Sequence, residues 1–277
     1  MSGTIAAEGL EIVQAAAPLV QNVTNYVVMN TTANALLALG ASPIMAHARE
    51  ESAQMAAICA SVVLNIGTLD AGWVESMTDA ARHAAKLDKP IVLDPVGAGA
   101  SSLRTDTAEM LIRTAVPTVI RGNGSEIAVL AERFAVSGLA QNGDSNVQSR
   151  GVDSTLQSSG ALDAARTLAE TLNCIVSISG ETDYITNGRD VLTVANGSPL
   201  MSRVTGMGCT ATALTGACAA AIRNPLHAAF TAMTVMGVAG ELTAERAAGP
   251  GSFQMHFLDV LYSLTPEILK DRFRDAS

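Results

Sequence analysis

A glycine-containing segment at residues 205–210, Thr-Gly-Met-Gly-Cys-Thr, leads directly into a stretch of helix-forming residues. Its glycines, Gly206 and Gly208, permit a tight turn that exposes backbone N–H groups, and the helix start adds the positive end of its dipole. Such a turn suits the negative charge that develops on a transferring phosphoryl group. The alternative is a glycine-containing helix start with no other role, and the segment alone does not separate the two. The Gly-Lys-Ser/Thr sequence of P-loop enzymes is absent.

Cys209 lies in the first turn of this predicted helix. A thiol at a helix N-terminus is expected to have a lowered pKa, which would give a useful thiolate fraction. The alternative is a small buried core residue, the usual role of cysteine. We favour that alternative for Cys59, Cys174 and Cys218, and the sequence leaves Cys209 undecided.

Two carboxylates and one arginine follow predicted strands. Asp94 ends a buried strand, and Glu126 follows Asn123 at a helix start. Mg²⁺ keeps most of its waters and needs only one or two carboxylates, so both are candidate magnesium ligands. Alone, Asp94 could be a turn residue before Pro95, and Glu126 could simply complement the helix dipole. Arg121 is the only cation in these strand-end segments, and its position favours a phosphate contact over a surface side chain.

The elements that must position these residues follow an alternating pattern. Short β-branched runs predict buried strands, and amphipathic segments between them predict helices. The predicted strands are 61–65, 91–93, 117–120 and 174–178, and the predicted helices between them are 70–87, 107–114, 125–133 and 162–172. This alternation is typical of βαβ units in a parallel, buried sheet of an α/β protein.

The second half of the chain predicts a different arrangement. Strands near 183–186 and 191–194 flank Asn187-Gly188, a hairpin signal. Helices are predicted at 209–222, 226–246 and 253–269. The polar stretch 136–159 reads as a loop or an insertion. No internal repeat or linker is evident, so residues 1–277 are predicted to form one domain.

Composition excludes several functions. The chain has a formal net charge of −9 and no lysine- or arginine-rich run, which argues against nucleic-acid binding. No apolar stretch reaches membrane-spanning length, and no signal peptide is evident at the start. The four cysteines match no zinc or redox spacing, and the four histidines form no cluster in the sequence. A cytoplasmic protein with reduced thiols is the simplest interpretation.

Taken together, the motifs resemble the ribokinase-like superfamily and, within it, the hydroxyethylthiazole kinases. The resemblance covers roughly residues 18–240. The segments that carry it are PLVQNVTNYV at 18–27, ASPIM at 41–45, NIGTL at 65–69, DPVGA at 94–98, RGNGSE at 121–126, SGETD at 179–183 and TGMGC at 205–209. The N-V-T-N-Y-V run and the later S-P-I-M are far more specific than any glycine pair. The resemblance implies a three-layer fold with a mostly parallel central sheet flanked by helices.

It also implies an activity: phosphorylation of a thiazole alcohol by ATP, with Mg²⁺, in a homotrimer whose pockets lie between subunits. The residues that match the family's positions, each with its implied role, are Met45, Gly206, Asn25 and Gly67 for the alcohol, Arg121, Ser179 and Gly208 for ATP, Asp94 and Glu126 near the metal, and Cys209 and Asp94 in catalysis. Cys209 stands where ribokinase-like sugar kinases have an aspartate base.

Three other functions remain open. Another ribokinase-like vitamin-precursor kinase and an ATP-dependent hydrate dehydratase belong to the same superfamily, but the N-V-T-N segment and Cys209 argue against both. A non-catalytic thiazole- or nucleotide-binding protein would have little use for Asp94, Arg121 and Glu126 together with the glycine turn. Release of ADP from Mg-ATP, with and without the thiazole alcohol, separates these functions.

Overall fold

The computed structural model describes residues 2–136 and 158–276. Within them, eight strands form one sheet in the order β2-β1-β3-β4-β5-β6-β7-β8. The strands are β1 (Leu19–Val23), β2 (Ser42–Ile44), β3 (Ser61–Asn65), β4 (Ile91–Asp94), β5 (Val119–Asn123), β6 (Ile175–Ser179), β7 (Asp183–Thr186) and β8 (Val191–Val194). The first six run parallel, and β7 and β8 pair antiparallel at one edge. The predicted parallel sheet and the hairpin at Asn187-Gly188 are confirmed.

Helices cover both faces of the sheet, which gives the expected three layers. The helices are α1 (Ser2–Ala16), α2 (Met29–Leu39), α3 (Arg49–Ile58), α4 (Ala71–Lys86), α5 (Ser102–Thr114), α6 (Gly124–Val136), α7 (Leu162–Leu172), α8 (Met207–Ala221), α9 (Pro225–Ala244), α10 (Pro250–Ser263) and α11 (Pro266–Arg272). One apolar core joins α1, α2 and α8–α11 to the sheet, and a second joins α3–α7 to its other face. The strands are buried on both sides, which explains their continuous β-branched runs.

Residue alternation along each strand decides which core a side chain enters. On β5, Val119 belongs to the core under α8 and α9, and Ile120 belongs to the opposite core. Arg121 therefore lies on the α8–α9 face. This assignment matters because α8 begins above the same edge of the sheet.

Helix α8 is held against the middle of the sheet. The hydroxyl of Ser61 on β3 donates to the backbone carbonyl of Gly216 in α8 at 2.8 Å. The helix is buried along most of its length. Its N-terminus is thereby fixed over the carboxyl ends of the parallel strands, which we call the carboxyl edge.

Several predicted boundaries differ from the structure. The predicted helix 253–269 is two helices, since Thr265 caps a new helix that starts with Pro266, and proline cannot continue the preceding one. The predicted helix 107–114 begins earlier, at Ser102, where the Ser101 side chain accepts from the Arg104 N–H. The strand predicted at 117–120 lies at 119–123. The sequence patterns predict no element before residue 61, where the structure has α1, β1, α2, β2 and α3.

The polar stretch predicted as a loop at 136–159 lies almost wholly outside the described residues. None of the helices that the structure does describe is long and apolar enough to cross a membrane.

Candidate active site

The carboxyl edge brings the predicted turns together. Strands β3 and β4 end level with each other at Asn65 and Asp94, and β5 and β6 end level with each other at Asn123 and Ser179. The pairing of Leu93 with Ile120 shows that β5 and β6 extend about two residues further. Ligands of open α/β sheets bind beyond such strand ends. The turns that follow these four strands therefore lie along one edge of the sheet.

The turn before α8 requires its glycines. Gly206 has a φ of 84°, in the left-handed region, and a Cβ there would lie 2.7 Å from Cγ1 of Val28. A Cβ on Gly208 would lie 2.9 Å from Nη1 of Arg121. The missing side chains thus let the N-terminus of α8 approach Arg121 closely.

Arg121 is a buried cation whose Nε finds no hydrogen-bond partner among the described residues. The residue as a whole is 7% exposed. The guanidinium presents fixed donors that match phosphate oxygens. A buried charged group left without a partner is costly, so this geometry suits an anionic ligand.

Asp94 is the buried carboxylate at the centre of the edge. It is 2% exposed, and its Oδ2 accepts from Asn65 Nδ2 at 2.8 Å and from the Thr212 hydroxyl at 2.7 Å. Burial raises its pKa, and Arg121, Thr212 and Asn65 counteract the increase. Both hydrogen bonds use Oδ2, so Oδ1 remains available for a ligand.

Cys209 lies beside this carboxylate. The lowered pKa expected for its thiol is wrong. Burial raises the pKa of the thiol to about 12, and the negative charge of Asp94 adds to the increase. Nδ2 of Asn25 donates to Sγ of Cys209 at 3.5 Å, and this hydrogen bond lowers the pKa of the thiol without cancelling the increase. The helix start was expected to favour thiolate, but desolvation and a neighbouring carboxylate outweigh the dipole, whose effect on a nearby anion is only about 0.3–1 kcal/mol. The other three cysteines are buried, as predicted.

Both carboxylate oxygens of Glu126 accept hydrogen bonds from backbone N–H groups. Its Oε1 accepts from the Gly97 N–H at 2.7 Å and its Oε2 from the Asn123 N–H at 2.8 Å. The Glu126 N–H in turn donates to the Asn123 side chain at 2.9 Å. Burial and then the charge of Asp94 raise the pKa of Glu126 to about 7. The carboxylate joins the turns after β4 and β5, whatever else it binds.

The residues expected to hold the alcohol are only partly brought together. A Cβ on Gly67 would lie 2.4 Å from Nδ2 of Asn25, so these two are in close contact. Met45 follows β2 at the same edge and is half-buried. No hydrogen bond or ring contact recorded within residues 2–136 and 158–276 links Met45 to Cys209 or Asn25.

Ser179 is the last residue of β6, directly before the turn to β7. Its hydroxyl donates to the Gly122 carbonyl at 3.4 Å, and the next N–H, of Gly180, donates to Oδ1 of Asp183 at 2.9 Å. The serine expected to contact ATP is therefore near the end of β5, the strand that carries Arg121.

The structure adds three residues that the sequence did not single out: Asn65, Thr212 and Arg104. Asn65 and Thr212 hold Asp94. The Arg104 guanidinium donates to the Gly67 carbonyl at 2.6 Å and the Val96 carbonyl at 2.7 Å, which ties the turns after β3 and β4. Arg104 is a second cation at this edge, so Arg121 is not the only one. It comes from helix α5, and no strand-end pattern could have indicated it.

Two observations bear on ligands. Among the described residues, no group of three histidine, cysteine or acidic side chains could hold a metal ion, so a bound Mg²⁺ would depend on Asp94 and on phosphate oxygens. A cavity of about 500 Å³ lined by Ile175, Asp190 and His227 opens at the opposite edge of the sheet. None of the predicted site residues lines this cavity. The candidate site is therefore identified by its buried charged side chains and not by cavity size.

Comparison with known proteins first gives the fold. A ribokinase-like superfamily protein from Enterococcus faecalis shares the fold, with a TM-score of 0.58 at 13% identity over 96% of this chain and 83% of that one. The chain therefore has a ribokinase-like fold.

Closer relatives give the family. The sequence pattern of the hydroxyethylthiazole kinase family matches residues 10–267. A hydroxyethylthiazole kinase from Syntrophus aciditrophicus is 53% identical over 96% of this chain and 94% of its own length. The structure of the hydroxyethylthiazole kinase protein from Pyrococcus horikoshii superposes with a TM-score of 0.86 at 40% identity, covering 98% of this chain and 99% of that one. The chain belongs to the hydroxyethylthiazole kinase family.

Proposed function

We propose that this protein transfers the γ-phosphoryl group of ATP to the hydroxyl of 4-methyl-5-(2-hydroxyethyl)thiazole, a step of thiamine biosynthesis or salvage. Membership of the family supports the substrate. The observation that carries the chemistry is Arg121, a buried guanidinium whose Nε has no hydrogen-bond partner among the described residues, beside the glycine start of α8. Together they form a preorganised anion site, as phosphoryl transfer requires.

The two halves of the reaction have separate residues. Arg121, Ser179 and the Gly208 N–H would hold the nucleotide phosphates. Asn25, Gly67, Gly206 and Met45 would hold the alcohol. Asp94 lies where the two halves meet, since it is hydrogen-bonded to Asn65, which contacts Asn25, and is attracted by Arg121.

The donor set fits Mg²⁺. Oδ1 of Asp94 is free to bind it, and Glu126 would act through water or by shaping the turn, because both its oxygens already accept backbone N–H groups. When bound, Mg²⁺ would neutralise charge on the phosphates.

Cys209 is proposed to receive the hydroxyl proton in its minor thiolate form. Because its pKa is about 12, this form is scarce at neutral pH. The contribution should therefore fall at or below the low end of the roughly 10²–10⁴-fold effect of a positioned base. Positioning and electrostatics would supply the rest.

The test is release of ADP from Mg-ATP. We expect it to depend on the thiazole alcohol and to stop in excess chelator. Equal release without the alcohol would indicate a different acceptor. Binding of the alcohol without any release would indicate a non-catalytic binding protein.

We further propose a homotrimer of single kinase domains, residues 1–277, in the cytoplasm. Tyr26 and Val27, next to Asn25, are 60% and 61% exposed, which suits a subunit contact beside the site. Light scattering that gave a 28.4 kDa particle at micromolar concentration would refute the oligomer. Four free cysteines suit a reducing compartment, and cell fractionation tests it.

A further inference from the structure

Asp183 is a buried carboxylate that the proposed reaction does not use. It begins β7 and is 7% exposed. Its Oδ1 accepts the Gly180 N–H at 2.9 Å, which closes the turn that follows Ser179. The side chain therefore fixes the shape of a turn expected to contact nucleotide phosphate.

The strand register places Asp183 on the same face as Arg121. Arg121 pairs with Ser177 on β6, and Ser177 pairs with Ile185 on β7. Paired residues share a face, and so do residues two apart on one strand. Asp183, two residues before Ile185, thus lies on the α8–α9 face with the guanidinium.

The interaction between the two is electrostatic. Arg121 is close enough to oppose the rise that burial causes in the pKa of Asp183. Nε of Arg121 and Oγ of its pair Ser177 are both buried with no hydrogen-bond partner in the described structure. The guanidinium and the Asp183 carboxylate therefore lie on one face with no hydrogen bond recorded at Nε, and opposite charges placed in this way attract each other.

We propose that Asp183 is a positioning residue for the nucleotide phosphates: it holds the Ser179–Gly180 turn by a hydrogen bond and draws Arg121 toward that turn by charge. This inference rests on the proposed function and deepens it. In this proposal, the turn after β6 and the Arg121 guanidinium on β5 form one phosphate-binding site, and Asp183 positions both.

Two substitutions separate the two effects. Asp183→Ala removes the hydrogen bond and the charge. Asp183→Asn keeps an acceptor for the Gly180 N–H and removes only the charge. Asp190→Asn, an exposed acid in the β7–β8 turn at the other edge, is the matched control. Because the pKa of Asp183 is about 7, the assays are run at pH 8, where its carboxylate is mostly ionised.

The measurements are calorimetric binding of Mg-ADP and steady-state turnover. We expect Asp183→Ala to raise the Kd for Mg-ADP and the KM for ATP by roughly tenfold to a hundredfold, the range for a lost buried hydrogen bond and a displaced charge. Asp183→Asn should give a smaller increase, and the KM for the alcohol should change little in both. The control should match the wild type.

Other results would overturn the inference. If nucleotide affinity is unchanged in Asp183→Asn, the charge of Asp183 does not position Arg121. If it is unchanged in Asp183→Ala, neither the charge nor the hydrogen bond positions the phosphate site. Equal increases of both KM values show a merely structural role. If Asp183→Ala does not fold, Asp183→Asn decides alone. Calorimetry needs no turnover, so wild-type protein that binds Mg-ADP but never phosphorylates the alcohol contradicts the proposed function and leaves this test intact.

Discussion

Nδ2 of Asn25 lies 2.7 Å from Oδ1 of Asn65, and this contact connects the alcohol side of the site to the phosphate side. Two backbone N–H groups determine which of the two side-chain amides is the donor in this hydrogen bond. The Gly67 N–H donates to Oδ1 of Asn65 and the Val27 N–H to Oδ1 of Asn25, so both amide nitrogens must face the other way.

The consequence is a directed chain of hydrogen bonds. The Asn65 amide donates to Asp94, and the Asn25 amide donates to Cys209 as well as to Asn65. Asp94 and Sγ of Cys209 are thereby both acceptors. This favours ionised Asp94 and directs the proton of the thiol away from Asn25.

We expect Asn65→Ala to lower kcat by roughly tenfold or more, since Asp94 loses a donor and the buried Asn25 amide loses its acceptor. The melting temperature should fall as well, while both KM values change less than kcat. The control is Asn34→Ala, which removes an amide from a side-chain pair on helix α2. Steady-state kinetics and thermal melts measure this; unchanged kcat in Asn65→Ala would exclude Asn65 from the site.

Cys209→Ala should be slow but active, with turnover reduced by less than about a hundredfold and the KM for the alcohol nearly unchanged. The raised pKa also predicts that Cys209 reacts with iodoacetamide at pH 7.5 more slowly than free cysteine. The control is Cys218→Ala in the same helix, which should lose stability and keep kcat, because Cys218 is buried in the core. Wild-type turnover in Cys209→Ala would make Cys209 a packing residue.

Gly208→Ala should raise the KM for ATP, because the new Cβ would lie 2.9 Å from Nη1 of Arg121 and displace the guanidinium. We expect the KM for ATP to increase by roughly tenfold, which is the effect of weakening one charged hydrogen bond. Gly251→Ala in helix α10 is the matched control, since nothing lies within 4 Å of its Cβ position. If both variants show the same KM for ATP as the wild type, Arg121 does not need this glycine.

Asp183 should make stability depend on pH. Burial raises its pKa from 3.8 to about 7, so the folded chain keeps a proton that the unfolded chain has already lost. This contribution is fully present below about pH 4 and is lost as the pH rises through about 7. Asp183→Asn imitates the neutral form, so it should melt higher than the wild type at pH 8 and nearly equally at about pH 4.

Melting curves at the two pH values test this expectation. Glu126, whose pKa is also about 7, titrates in both proteins, so only the difference between them is informative. A difference that does not change with pH would show that Asp183 does not carry the effect. A stabler variant with weaker nucleotide binding would show that the buried charge is kept for function.

The sequence by itself determined the layered architecture and the edge of the sheet at which the candidate site residues lie. Alternating β-branched and amphipathic segments can bury their apolar faces only in a parallel sheet covered on both sides. The carboxyl ends of these strands must then meet at one edge, where Asp94, Arg121 and Ser179 lie. These features depend on neighbours in sequence, which local patterns record.

The tertiary structure alone decided how the site residues act on one another. Thr212 and Asp94 are 118 positions apart, and Asn25 and Cys209 are 184 apart, so no local pattern contains their contacts. The pKa of Cys209 shows the reason most clearly. Its place in the first turn of a helix predicts a lowered value, but the side chain lies among buried groups and next to Asp94. Desolvation and charge depend on everything packed around an atom, and that environment exists only in the folded chain.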